Sequence, residues 1–299
     1  MTLYYADHFV LPLPAGHRFP MAKYARLRER LAACGEFRSD DFRVPEAARD
    51  EEILRAHCPG YLARVREGSL SAEEERRIGF PWSAAMVERS RRSAGATIAA
   101  ARDALVQGWS ANLAGGTHHA FRDRGEGFCV FNDAAIAARA MRAEAGIARV
   151  AVIDCDVHQG NGTAAILRGD EAAFTFSIHG ARNFPFEKEE SDLDIELPDG
   201  TGDEEYLRQL GLGLDETLER SRPQLAIYLA GADPHEGDRL GRLKLTKDGL
   251  ARRDAMVLGR LAALGVPVAI AMAGGYGRDI DDTVDIHAAT VIAAKRAFA

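Results

Sequence analysis

Asp154-Cys155-Asp156-Val157-His158-Gln159-Gly160-Asn161-Gly162, directly after the apolar run Val150-Ala151-Val152-Ile153, decides the reading of this chain. The run has the composition of a buried strand, and the glycines break it into a turn. Residues i and i+2 of an extended segment share a face. Asp156 and His158 can therefore aim at one point, with Asp154 behind them. An oxygen and a nitrogen ligand at the carboxyl end of a strand is how an α/β protein builds a catalytic zinc site. Such a site also needs a third ligand, an acid/base and an electrophilic donor.

The third ligand should come from another strand end. Ile227-Tyr228-Leu229-Ala230-Gly231-Ala232-Asp233 is an apolar strand that finishes on an acid. Alone, Asp233 would serve equally well as a helix cap. Beside Asp-x-His it reads as a ligand, and one nitrogen with two oxygens leaves positions open for water and substrate. Gly115-Gly116-Thr117-His118-His119 follows the apolar stretch Ala111–Ala114. Tandem imidazoles can divide labour, one charged beside a carboxylate and one free to move protons. Asp154 and Asn161 are the candidate partners. Gly274-Gly275-Tyr276-Gly277 follows the last apolar run, and its glycines would let the Tyr276 hydroxyl approach a bound carbonyl. Phe128, Phe184 and Phe186 are candidate walls, although phenylalanine is more often core. Of the other histidines, His17 and His235 are expected at a pocket rim, and the rest as structural or surface residues.

Working outward, apolar runs recur at Leu3–Ala6, Ala111–Ala114, Val150–Asp154, Ala173–Ile178, Leu225–Ala230 and Val266–Ala271. Helical patterns lie between them at Met21–Ala33, Trp82–Val106, Asn132–Ala145, Glu204–Leu218 and Thr246–Leu264. Pro20 and Pro81 mark helix starts, and Gly108, Gly146 and Gly265 mark stops. Alternation of this kind predicts an α/β fold with a mainly parallel sheet covered by helices on both faces. No repeat or composition break divides residues 1–299, so one domain is expected. The charge run Phe186–Asp192 reads as a solvated loop.

Bulk properties narrow the function. The chain has 299 residues, 46% hydrophobic and 28% charged, with a formal net charge of −7. That charge argues against direct nucleic-acid binding and sits comfortably with a cationic substrate. Cys34, Cys58, Cys129 and Cys155 show no CxxC spacing, which predicts a reduced cytoplasmic protein. No signal-peptide pattern opens the chain, and no run approaches ~18 apolar residues, so no membrane span is expected.

Taken in order, these elements resemble the histone deacetylase family of the arginase/deacetylase fold. The motifs that carry the resemblance are Gly-Gly-Thr-His118-His119-Ala, Gly127-Phe128-Cys129-Val-Phe-Asn-Asp, Asp154-x-Asp156-x-His158-x-Gly-Asn161-Gly-Thr, Phe-Ser177-Ile178-His, Gly-Ala-Asp233 with Gly237-Asp238-Arg239-Leu240-Gly, and Gly274-Gly275-Tyr276. They span essentially the whole chain. Gln159-Gly160-Asn161 and the segment Gly16–Tyr24 look most like the class IV type and its bacterial relatives.

The resemblance implies that Asp156, His158 and Asp233 bind zinc, with iron(II) as the alternative. It implies that His118 is the charged histidine on Asp154, that His119 is the proton shuttle oriented by Asn161, and that Tyr276 polarises the amide carbonyl. Gly127, Phe128, Leu240, Gly274, Gly275 and one of Phe184 and Phe186 would line an acyl-lysine tunnel. A potassium ion would sit on Asp154, Ser177 and the carbonyls of Asp156, His158 and Ile178. The implied activity is hydrolysis of N-acyl-lysine on proteins or peptides, with acetyl and longer acyl chains both open. A small acylated amine is the other substrate class, and the oligomeric state is left open.

Two departures qualify this picture. Asn161 stands where some members carry Asp, so His119 should be less basic. Gly79-Phe80 precede Pro81 where class I enzymes carry a substrate-gripping acid, which speaks against tight recognition of peptide backbone. Three rivals are weaker. A two-metal arginase-like hydrolase lacks ligands, because Gly160 and Pro234-His235 occupy the needed positions. An acetylpolyamine deacetylase would want an acidic gate where Leu240 stands. A non-catalytic acyl-lysine binder would usually have lost a ligand, the histidine pair or the tyrosine.

Overall fold

The computed structural model describes residues 1–14 and 16–299. Among these residues eight strands form one parallel sheet: β1 (Leu3–Tyr4), β2 (Phe42–Arg43), β3 (Trp109–Asn112), β4 (Val150–Asp154), β5 (Ala173–Gly180), β6 (Leu193–Leu197), β7 (Leu225–Leu229) and β8 (Val268–Ala271). Their order is β2-β1-β3-β8-β7-β4-β5-β6, with every neighbouring pair parallel. The chain builds outward through β3, jumps to β4, and later returns to lay β7 and β8 between them. That gap is where the connections diverge, and open parallel sheets bind ligands at the carboxyl ends of such strands.

Among the described residues ten α-helices accompany the sheet: α1 (Ala22–Ala33), α2 (Asp50–Ile53), α3 (Pro59–Glu67), α4 (Ala72–Ile78), α5 (Ala84–Gln107), α6 (Asp133–Ala145), α7 (Asn161–Leu167), α8 (Asp203–Ser221), α9 (Lys247–Ala263) and α10 (Ile280–Ala297). The central strands are buried on both faces, and successive side chains feed two separate cores. Val150, Val152, Leu225, Ile227 and Leu229 pack with α5 and α6. Ala151, Ile153, Ala226 and Tyr228 pack with α8, α9 and α10 on the opposite face. This two-sided burial is why the strands read as continuous apolar runs rather than alternating ones. Among the described residues no helix is long and apolar enough to cross a membrane.

Several elements fall outside the sequence expectations. The first strand is two residues long rather than Leu3–Ala6. The third begins at Trp109 rather than Ala111. The edge strands β2 and β6 and the helices α2, α3, α4, α7 and α10 carry no periodic signal of their own. In α10 the buried face mixes Thr283, His287 and Thr290 with Val284, Ile286 and Val291, which dilutes the apolar stripe.

One buried ion pair ties the fold to the ends of two central strands. Arg253 of α9 is fully buried and donates to the carbonyls of Cys155 (3.3 Å) and Gly231 (2.5 Å), just past β4 and β7. Asp254 pairs with Arg253 at 2.8 Å and accepts from Tyr228 and Thr290 hydroxyls at 2.6 Å each. Replacing Arg253 by Met would leave the Asp254 charge buried without its cation. Such a loss typically costs about 3–5 kcal/mol. Urea denaturation of Arg253→Met should show a fall of that order, and an unchanged midpoint would remove this pair from the framework.

Candidate active site

The acidic and imidazole side chains converge where β3, β8, β7 and β4 end. Asp156 and His158 follow β4, and Asp233 follows β7, its direct neighbour. Ligand atoms of the three lie within 4.8 Å of one another, all buried. His158 Nδ1 stands 2.9 Å from Asp156 Oδ1 and 3.2 Å from Asp233 Oδ2. Backbone amides hold the carboxylates in place. Val157 N–H donates to Asp233 Oδ1 (2.9 Å), and Gly274 N–H donates to Asp156 Oδ2 (2.7 Å). Asp233 Oδ2 accepts no hydrogen bond although it is out of contact with solvent. Burial first, and then the Asp156 charge, push the Asp233 carboxyl up to about 7. Two crowded carboxylates with an unused lone pair and a neighbouring imidazole nitrogen are a donor set for a divalent cation.

Glycine at 274 is required by this crowding. A β-carbon there would collide with Asp233 Oδ2 and lie 2.6 Å from Asp156 Oδ2. The Gly-Gly before Tyr276 thus lets the β8 loop close over the carboxylates. The β3 loop supplies the histidine pair. His118 Nδ1 is 2.6 Å from Asp154 Oδ2, and His119 Nδ1 is 2.7 Å from Asn161 Oδ1. Burial alone would lower the His118 pKa. The charges of Asp154 and Asp156, together with the Asp154 hydrogen bond, outweigh it and raise the pKa to about 9. For His119 burial is again the largest effect, and the neighbouring His118 and His158 act in the same direction. Its pKa falls well below the ordinary histidine value. Two adjacent imidazoles are thereby split into a cation and a neutral base.

Tyr276 lies opposite. Its amide donates to Asp238 Oδ2 (2.6 Å), and Arg239 Nε donates to its carbonyl (2.9 Å). Burial, then Asp156 and Asp233, push its hydroxyl well above the usual range, so it stays a donor. A cavity of about 560 Å³ leads to this group and is lined by His119, His158, Tyr276, Gly127, Phe128, Phe184, Phe186 and Leu240, among others. Phe184 sits inside, its ring edge-on to His119 at 4.9 Å. Phe186 is at the mouth and 83% exposed. Phe128 has a left-handed backbone (φ 66°), secured by its amide on the Ile78 carbonyl (2.7 Å) and by Gly127 N–H on the Arg77 carbonyl (3.0 Å).

Some expected residues lie elsewhere. Gly274 faces a smaller inner cavity beside Ala273 and Asp156, and Gly275 lines neither cavity. His17 is not on the rim. Its Nε2 is 2.9 Å from the Gly79 carbonyl, and its ring backs Phe80 and Phe128. His235 is also buried away from the cavity, its Nδ1 accepting from Gly237 N–H at 3.2 Å. Asp154 and Ser177 are register partners on β4 and β5, and the Ser177 hydroxyl is 3.0 Å from His179 Nδ1.

A sequence profile of the histone deacetylase domain matches residues 17–291. The chain belongs to the histone deacetylase family. Membership makes it a hydrolase of the amidohydrolase type. An uncharacterized protein of Picosynechococcus is 43% identical over 286 residues, covering 96% of this chain and 95% of the relative. Histone deacetylase 2 of Arabidopsis thaliana is 31% identical, covering 90% of this chain and 73% of the relative. A crystal structure of a deacetylase homologue complexed with SAHA superposes with a TM-score of 0.84 at 24% identity, covering 99% of this chain and 83% of that one. At that identity the likeness speaks to the fold, which is the arginase/deacetylase arrangement.

Within this family frame one residue escaped the motif reading. Lys23 of α1 is only 2% exposed and donates to the carbonyls of Ala273 (3.3 Å) and Gly275 (3.2 Å), which flank Gly274 and lead into Tyr276. Its Nζ also lies 5.4 Å from the Tyr276 ring centre. The available signal was a lysine in register with Leu27 and Leu31, four and eight residues on, along a buried helix face. Lys23→Met should free the loop and lower kcat more than it raises KM. A misplacement of this kind can cost up to about 100-fold. Lys23→Arg should recover part of the loss, and steady-state kinetics on the three proteins checks both.

Proposed function

We propose that this chain hydrolyses the amide of N-acylated lysine on proteins or peptides, releasing the free amine and a carboxylate. The observation that carries this reading is the buried neutral His119, which shares one cavity with Tyr276 and His158 of the Asp156–His158–Asp233 cluster. With Nδ1–H donating to Asn161, the ring keeps Nε2 as its acceptor. His119 then takes a proton from the attacking water and returns it to the departing amine, a role worth ~10²–10⁴-fold. His118, held as a cation by Asp154, keeps His119 from being protonated prematurely. The Tyr276 hydroxyl donates to the carbonyl oxygen as negative charge develops on it. Phe128 and Phe184 flank the acyl-lysine stem and exclude water from the reacting bond.

Asp156, His158 and Asp233 would hold a zinc ion, or iron(II), which the same donors accept. When bound, that ion supplies Lewis acidity and lowers the pKa of a water to about 7. A potassium ion would take Asp154, Ser177 and the carbonyls of Asp156, His158 and Ile178.

Purified enzyme assayed on matched acetyl-, butyryl- and myristoyl-lysine peptides and on acetylspermidine tests the reading. Turnover should fall by roughly 10²–10³-fold in Tyr276→Phe, the loss of one oxyanion donor, and at least as far in His119→Ala. Failure of every substrate with metal bound would remove the lysine deacylase reading. Chelation should abolish turnover, and added zinc should restore it. Asn161→Asp supplies a pH test. A carboxylate stabilises the His119 cation, so its pKa rises. Because the base acts when neutral, the acid limb of the kcat/KM profile should move to higher pH. An unmoved limb would take His119 out of the base role.

A further inference from the structure

The cavity mouth carries a charge pattern opposite to that of the molecule. The chain has a formal net charge of −7. Yet among the described residues the cavity is lined by Arg18, Arg76, Arg77, Arg182 and Arg242 against one carboxylate, Glu126. All five arginines are exposed. Glu73 pairs with Arg77 at 2.8 Å and Asp199 with Arg242 at 3.3 Å. Among the described residues no carboxylate lies within ion-pair distance of Arg18, Arg76 or Arg182.

The arginines come from four separate segments: the loop before α1, the end of α4, the loop after β5 and the loop after β7. Guanidinium groups are weakly hydrated, planar donors matched to carboxylates. Cations gathered from separate segments at one opening suit a carrier with anionic groups on both sides of the reactive amine. They repel a polyamine. Phe186 adds a second feature at the same mouth, a ring that is 83% exposed. A small anion would leave that ring in water, whereas a chain lying across the opening would cover it.

We propose that the substrate is an acyl-lysine embedded in an acidic polypeptide segment, with Asp or Glu on both sides of the lysine. The proposal rests on the amide-hydrolase reading above and names its substrate class. Charge then supplies the recognition that the missing acid before Pro81 would otherwise give to peptide backbone. Long-range attraction of this type raises association rates and fades with salt.

The test compares otherwise identical acyl-lysine peptides flanked by Glu, Gln or Lys, on the zinc-loaded enzyme. Salt is set at about 0.1 M and about 1 M, where the screening length falls from about 10 Å to about 3 Å. The Glu peptide should exceed the Lys peptide in kcat/KM by about tenfold or more at the lower salt, and the gap should narrow at the higher. In an Arg76→Gln/Arg182→Gln double variant the Glu-to-Lys ratio should fall toward one. Fluorescence anisotropy of labelled peptides should give the same order of binding. That readout needs no turnover, so a failure of the hydrolase reading would leave the charge preference measured on its own. Equal binding of all three peptides, or preference for Lys flanks, overturns the proposal. Free Nα-acetylated acyl-lysine, a small anion, processed as fast as the Glu peptide overturns its polypeptide part.

Discussion

Mutual repulsion between Asp156 and Asp233 is the constraint around which the rest is arranged. The two acids lie in the loops just past neighbouring strands, β4 and β7, so the sheet order brings them together. Neither has solvent to dissipate its charge. The surroundings answer with donors and with cations: the amides of Val157 and Gly274, the His158 ring, the charged His118 ring 3.8 Å from Asp156, and Arg253 bonded to carbonyls just past both strands. One carboxylate oxygen is still left without a partner. A cation completes such a pocket more economically than another hydrogen bond, since it acts on both acids at once.

The same dry interior sorts the two histidines. They are chain neighbours with ring centres 4.2 Å apart, and only their partners differ. Asp154 offers His118 a charge; Asn161 offers His119 only a dipole. In water that difference would be small. Where screening is weak it separates a charged imidazole from a neutral one. Tyr276 is kept protonated by the same low polarity and by the acids beside it. The protonation states of these three groups are thus set by environment, not by side-chain type alone.

The candidate site was legible in the sequence because its parts are local. Asp156 and His158 share a face by strand periodicity, and His118-His119 and Gly274-Gly275-Tyr276 sit in glycine turns after apolar runs. Each can be read within about ten residues. The central strands were legible for a related reason, since burial on both faces leaves an uninterrupted apolar run. What could not be read has no local pattern. The strands β2 and β6 are edge elements with half-exposed side chains. The α10 helix buries polar residues. Arg18, Arg76, Arg182 and Arg242 are ordinary surface arginines until the fold brings four distant segments to one opening. Lys23 stood in a motif but betrayed its role only through its register with Leu27 and Leu31.

The hydrogen bonds from Gly127 and Phe128 to Arg77 and Ile78 join two distant parts of the chain. The reacting groups hang from the ends of the central strands, whereas the aromatic wall is clamped to the last turn of α4, a short helix remote from them in sequence. Lengthening, shortening or rotating that helix would shift Phe128, and with it a wall that also packs on Tyr276. The short helix α4 thus sets the position of the cavity wall from a segment far in sequence from the strand ends.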